Sequence, residues 1–336
     1  MLSGVRPICR RVFDAQKLVA EFPPRFTNPN KQIVFRIACP PDSTHSGQIA
    51  FSRWAQTSLP HTLDADGAHP KYEARHDFFG YEPPPEGGST VEWYLNFSHS
   101  DLFCAYGGRL FAQDEMQVTE HPALGSLREA LLRSDIKPLT VENGQPTPAL
   151  IKGVERRCRV ATDRNAELGR PNGLYGNNFA AASVEAIARA TQALVPPTIS
   201  NLLAMEAPTG GRGRYDLKEI EYILGTAFTG FAAARFESWQ DSVQPPAVVV
   251  HTGFWGCGAY GGNRVLMALL QLLAARLAGL DALVFHTGDE AGSQAYHRAC
   301  RTVQQVVESV GQPLAVSDAI LQIESMGFQW GVSDGN

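Results

Sequence analysis

Two short stretches of this chain carry residue types whose spacing could do chemistry. The first is "FAQDEMQ", which sets Gln113, Asp114 and Glu115 together at the expected start of a helix. Burial and a neighbouring carboxylate can raise the pKa of a carboxyl group, so that it serves as acid and then as base. Cleavage of a glycosidic bond at a ribose needs such a group, because its transition state is oxocarbenium-like and its leaving oxygen must be protonated. Taken alone, the three residues read as ordinary first-turn acids that complement the helix dipole.

The second stretch is "HTGFWGCGAYGGN", His251 to Asn263, with five glycines directly after the apolar run Ala247-Val248-Val249-Val250. A glycine-rich turn between a strand and a helix N-terminus presents backbone N–H groups to an anion. Gly256 to Gly261 also satisfies G-x-G-x-x-G, the dinucleotide fingerprint. Against a dehydrogenase, too little chain comes after the loop to complete a doubly wound sheet, and Asp289 stands somewhat too far away to be the ribose-binding acid. A tight turn that packs strand against helix without a ligand is the plain alternative. Cys257 lies at a place where a helix could lower a thiol pKa, yet no histidine accompanies it in a motif, so it reads as a small packing residue.

The elements that must position these residues alternate strand and helix. A strand is expected at 90–97, a helix at 125–133, a helix at 183–194 stopped by Pro196-Pro197, and a strand at 198–205. Asp216 and Glu219 form a capping-box start for a helix through 236. Next come a strand at 247–252, a helix at 263–278 ended by Gly279, a strand at 282–285 and a helix at 293–310. The helix before Gly279 is apolar nearly all round, as if covered on both sides. This alternation predicts an α/β layered sandwich. Residues 1–89 read as an irregular and helical, proline-rich accessory region, with the run Pro83 to Gly88 as a boundary loop before a domain at 90–336.

Composition bounds the function. With 336 residues and 44% hydrophobic content the chain can bury a large core. A net charge of −5 without a basic block argues against a grip on nucleic acid phosphates. The six cysteines are scattered, with neither C-x-x-C nor zinc spacing, so no metal is expected and a reducing, cytoplasmic compartment is. No apolar run reaches the ~20 residues of a membrane span. Three arginines precede the first acid, a faint likeness to a transit peptide, but there is no signal-peptide core after them.

The glycine loop and the helix and strand behind it, "TGFWGCGAYGGNRVLMALLQLLAARLAGLDALVFHTGD", resemble the C-terminal signature of poly(ADP-ribose) glycohydrolases, a branch of the macrodomain fold. That family carries a T-G-N-W-G-C-G-A-F-G-G loop, an apolar helix and a strand ending in G-D. Upstream, "MEAP" is similar to its "IDAL" strand, "LYGNNF" to its "GYAxTY" segment and "AQDEMQ" to its catalytic "VQEE" run. The resemblance spans roughly residues 90 to 290. It implies a three-layer α/β/α macrodomain-like sandwich with a mixed sheet, no cofactor, and ADP-ribose or an ADP-ribosylated substrate as partner of a chain expected to be a monomer.

Carried over residue by residue, the resemblance makes Glu115 the acid/base and Asp114 the carboxylate that orients ribose hydroxyls, one methylene shorter than the family's glutamate. Gln113 and the loop Gly253, Phe254, Trp255, Gly256, Cys257, Gly258, Ala259 and Tyr260 would surround the diphosphate and ribose, with Phe254 replacing an asparagine. Tyr175 and Phe179 would stack on adenine, while Thr287 takes the place of the second aromatic. Asn96 and His99 stand where the family has aspartate and asparagine. Its G-G-G loop before the acids is absent: Phe103-Cys104-Ala105 occupy those positions, and Gly107 and Gly108 come later. The expected activity is hydrolysis of the ribosyl C1′ bond of an ADP-ribose-bearing substrate, polymeric, mono-ADP-ribosyl or a small nucleotide-derived glycoside. The alternatives are an ADP-ribose-binding module without catalysis and, more distantly, a nicotinamide-dependent oxidoreductase.

Overall fold

The structure, a computed structural model, describes residues 6–63, 69–82, 89–240, 244–309 and 314–335. Eight strands form one sheet: β1 (Pro7–Asp14), β2 (Gln48–Trp54), β3 (Lys71–Arg75), β4 (Thr90–Phe97), β5 (Ala149–Val160), β6 (Thr191–Met205), β7 (Ala247–Thr252) and β8 (Ala282–His286). Their order is β1-β2-β5-β6-β4-β7-β8-β3. The β1, β2, β5 and β6 neighbours pair antiparallel, and β6, β4, β7, β8 and β3 pair parallel. The sheet is mixed, as the resemblance implied.

Helices cover both faces. They are α1 (Ala15–Glu21), α2 (Pro29–Ala38), α3 (Gln113–Glu120), α4 (Ala123–Leu132), α5 (Asn178–Ala181), α6 (Val184–Ala190), α7 (Leu217–Trp239), α8 (Arg264–Ala278), α9 (Glu290–Ser309) and α10 (Val316–Ser325). Side-chain alternation along β4 sorts the layers. Trp93 and Leu95 enter the core beneath α7 to α10, while Tyr94 enters the one beneath α1, α3 and α4. The all-round apolar α8 is flanked by α7 and α9 and almost wholly buried. Its ends are sequence-encoded: Asn263 accepts from the Val265 and Leu266 amides, and Gly279 closes the helix at φ 68°. Among the described residues no helix is long and apolar enough to cross a membrane.

The first ninety residues are not a separate irregular appendage. They add β1 and β2 to one edge of the sheet and β3 to the other. Residues 83–88, read as a boundary, lie outside the described residues. The helix expected at 183–194 ends at Ala190, and Thr191 begins a strand that runs to Met205. Pro196 and Pro197 fall inside a register shift between the Arg156 and Cys158 pairings, so neither has to donate to the ladder. Parallel β4, β6 and β7 end at Phe97, Met205 and Thr252, and the loops leaving them lie at the end of the sheet where open α/β sheets bind ligands.

Candidate active site

The side chain of Gln113 sets the start of α3. Its Oε1 accepts from the Phe97 amide at 2.8 Å and its Nε2 donates to the Leu95 carbonyl at 2.9 Å. Both ends of the amide are thus spent on β4, and Gln113 aims the two acids instead of facing a ligand. Asp114 and Glu115 are both buried. The Glu115 carboxylate accepts from the Ala112 amide at 3.1 Å, and that of Asp114 accepts from Asn96 Nδ2 at 2.9 Å. The second Asn96 proton goes to Gln117 Oε1 at 2.8 Å, while Asn96 Oδ1 has no partner.

Burial, and then the charge of Glu115, push the Asp114 carboxyl up to about 7 against the hydrogen bond from Asn96. Asp114 therefore holds a proton in the folded protein at a pH where the unfolded chain has released it. Stability contributed by that proton is present at acidic pH and is lost as pH rises from about 4 through about 7. The melting temperature of wild type is expected to fall by several degrees between pH 5 and pH 8 relative to Asp114→Asn, which keeps the acceptor for Asn96. Parallel melting curves for the two proteins would contradict the shift.

A compact loop, Asp101 to Gly108, precedes the acids. Arg128 grips Asp101 with bonds of 2.7 and 2.9 Å and also donates to the Leu102 carbonyl. Phe103, where the family has a glycine, is fully buried and takes the left-handed conformation at φ 58°. Gly107 is needed for a different neighbour than a ligand: a Cβ there would lie 2.2 Å from the Arg25 carbonyl. Its own carbonyl accepts from the Thr27 and Asn28 amides, so Gly107 bolts the N-terminal segment to this loop. A Cβ at Gly108 would meet only the Ala105 carbonyl, at 3.3 Å. His99 is exposed, its Nδ1 accepting from the Asp101 amide at 3.1 Å.

The glycine loop leaves the end of β7. Trp255 is fully buried with Nε1 donating to the Met205 carbonyl, and Gly253 lets the backbone pass the His286 carbonyl, so these two serve packing. Burial lifts the Cys257 thiol to about 12, which leaves it inert. Phe254 packs edge-on against Phe285, beneath the Arg264 guanidinium. The anion-facing part is narrower than the whole motif: the amides of Gly258, Ala259 and Tyr260 donate to no group among the described residues. The helix N-terminus itself is occupied by its Asn263 cap, so the exposed donors belong to the loop.

Tyr260 and Tyr175 connect the loop with the acids. The Tyr260 hydroxyl is 3.4 Å from the buried Glu206 carboxylate, and burial, then the charge of Glu206, hold its proton on. Tyr175 is half-exposed and pushed up to about 12 by burial, then by Asp334 and Glu115. Phe179, expected beside it, is fully buried and stacked on Phe111 at 3.9 Å, so its face is closed to a ligand. Of that aromatic pair only Tyr175 is exposed.

The sequence reading did not anticipate the segment after α10. Gly331 donates to the Gly261 carbonyl at 2.8 Å, and the Asp334 amide reaches the Gly258 carbonyl at 3.4 Å. Trp330 stacks on Tyr215 with centroids 4.2 Å apart, anchoring this strap beside the loop. The Asp334 carboxylate lies 3.1 Å from where a Gly258 Cβ would sit. Gly258 and Gly261 thus make room for residues 331–335 as well.

The mixed sheet and the glycine loop at the end of its parallel strands define an α/β sandwich of macrodomain type. Residues 175–294 match the model for the C-terminal part of the poly(ADP-ribose) glycohydrolase catalytic domain, of the macro domain fold. Over those residues the chain is similar to the poly(ADP-ribose) glycohydrolases. The matched stretch contains Tyr175 and the whole glycine loop, whereas Asp114 and Glu115 precede it. Among solved structures it is similar to a poly(ADP-ribose) glycohydrolase from Thermomonospora curvata, at 16% identity over 86% of this chain and 85% of that one, TM-score 0.45. The enzyme from Deinococcus radiodurans, solved in complex with ADP-ribose, is 16% identical over 92% of this chain and 96% of that one, TM-score 0.42.

Proposed function

We propose that this protein hydrolyses the ribosyl C1′ linkage of an ADP-ribose-bearing substrate, with Glu115 as acid and base. The observation that carries this reading is the buried pair Asp114–Glu115, whose charges reach Tyr260 of the glycine loop and Tyr175, together with three loop amides that donate to no group among the described residues. The loop donors suit a diphosphate, and the half-exposed Tyr175 offers a surface for adenine, worth ~1 kcal/mol beyond its buried area.

In the first step the C1′–O bond breaks while a carboxyl proton passes to the leaving oxygen, and positive charge develops at C1′. A water then forms the new C1′–O bond and returns its proton to the same carboxylate. Such a cycle needs one proton and one negative charge in the pair near neutral pH, and the raised pKa of Asp114 supports that state. In this reading Glu115 delivers the proton while Asp114 orients hydroxyls.

The Asp334 carboxylate opposes an anion at Gly258, and a diphosphate seated on the loop must displace it. Asp334→Asn is therefore expected to tighten ADP-ribose binding by about fivefold, the equivalent of about 1 kcal/mol for a like charge a few ångströms away in water-like surroundings. The gain should shrink with added salt. Equal affinity of the two proteins by calorimetry at low salt would count against the loop as the diphosphate site.

Hydrolysis is tested by release of free ADP-ribose from an automodified protein. Tight ADP-ribose binding with no release would favour a binding module. NAD(H) binding with hydride transfer would favour the oxidoreductase alternative.

A further inference from the structure

Lys31 is a charged side chain with no surface exposure, contributed by the N-terminal region. A buried ammonium is costly unless it is paired, so its persistence needs a partner. Helix α2 is held firmly: Asn28 accepts from the Asn30 and Lys31 amides, and Asn30 Nδ2 donates to the carbonyls of Phe179 and Ala182. The side chain of Lys31 then runs under the 101–108 loop, where Nζ donates to the Tyr106 carbonyl at 2.7 Å. The Phe111 ring lies 6.0 Å from Nζ.

One carbonyl uses only one of the three ammonium protons. Helix α2 packs against α3, whose first turn holds the buried Asp114 and Glu115, and theirs are the carboxylate charges that reach Lys31. Desolvation draws the lysine down to about 8 even against these two, so it is still charged at neutral pH. From the other side, Asp114 is faced by Glu115 on its own helix, Lys31 on α2 and Arg128 on α4, with Asn96 on β4. Tyr175 adds its phenol near Glu115, and Tyr260 and Cys104 lie near Asp114. Arg128 is already committed to Asp101, which leaves Lys31 as the cation dedicated to the pair.

We propose that Lys31 is a positioning residue of the acid site: its buried ammonium, held by the Tyr106 carbonyl, supplies the counter-charge that lets Asp114 and Glu115 lie buried side by side. The N-terminal region thereby completes the site chemically as well as extending the sheet. The proposal rests on the glycohydrolase reading for its kinetic consequence, while its electrostatic consequence stands without it.

Lys31→Met keeps the length and apolar stem and removes the charge. In the full-length protein, ADP-ribose release at pH 7 is expected to fall at least tenfold, with ADP-ribose affinity changed less than threefold. The acid limb of kcat/KM should move up by about one pH unit, because an opposite charge of this kind holds carboxyl pKa values down by about 1–3 units. Carbon-13 NMR of the Asp114 and Glu115 carboxyl carbons should report the same upward shift, with Lys31→Arg lying between wild type and Lys31→Met. Unchanged carboxyl titrations in a folded Lys31→Met protein would overturn the proposal. If wild type released no ADP-ribose but the titrations still moved, the glycohydrolase reading would fall and the assignment of Lys31 would stand.

Discussion

Glu115→Gln is expected to reduce the release of ADP-ribose from an automodified protein by about 10²–10⁴-fold, the usual contribution of a positioned acid or base. The substitution is conservative for the fold. Glutamine Oε1 can take over the bond that Glu115 accepts from the Ala112 amide, so the first turn of α3 keeps its cap. What it cannot do is give a proton to the leaving oxygen or receive one from water. ADP-ribose affinity should therefore stay within a few fold of wild type, since the loop donors and Tyr175 are untouched. A variant that hydrolyses as fast as wild type would remove Glu115 from the reaction. Loss of binding together with activity would mean that residue 115 holds the ligand and has no separable chemical role.

Gly256→Ala is expected to have the largest effect on stability, and the contrast with Gly258→Ala separates packing from binding within one loop. Gly256 has φ 74°, and a Cβ there would lie 2.4 Å from the Ala207 Cβ and 3.3 Å from the Met267 Cε. A left-handed L-residue costs ~1–2 kcal/mol. Forcing a methyl into a packed core costs a further ~1–3 kcal/mol. The sum, about 2–5 kcal/mol, should appear as a lowered midpoint in urea. At Gly258 the nearest obstacle is the flexible Asp334 carboxylate at 3.1 Å, so stability should change by less than ~1 kcal/mol. Equal midpoints for the two variants would contradict the packing assigned to Gly256.

How far the residues alone could lead depended on whether their neighbours were local. Asn263, the apolar run behind it and Gly279 delimit α8 because a cap and a stop act within one turn. Asp216 and Glu219 cap α7 reciprocally for the same reason. The three strands before residue 90 were hidden, since their partners lie far along the chain and β1 is mostly exposed, which blurs any alternation. Gly107 read as a ligand glycine, and only the packed Arg25 carbonyl explains it. Phe179 and Tyr175 look equivalent in "LYGNNF", and the difference is made by Phe111, 68 positions before Phe179, which covers one ring and not the other. Lys31 left no signal at all, because a lysine in a helix reads as solvated until its burial is known. A fully buried charge beside the acids is the kind of departure from local rules that functional sites produce.

The central claim is that one ADP-ribose reaches from the glycine loop to Glu115. A crystal structure of the Glu115→Gln protein with ADP-ribose tests it most directly. The expected result is a diphosphate accepting from the amides of Gly258, Ala259 and Tyr260, with the Asp334 carboxylate moved away and the distal ribose C1′ within about 4 Å of the residue 115 side chain, close to near-attack distance. ADP-ribose bound elsewhere, or lying on the loop with its distal ribose turned away from position 115, would contradict it.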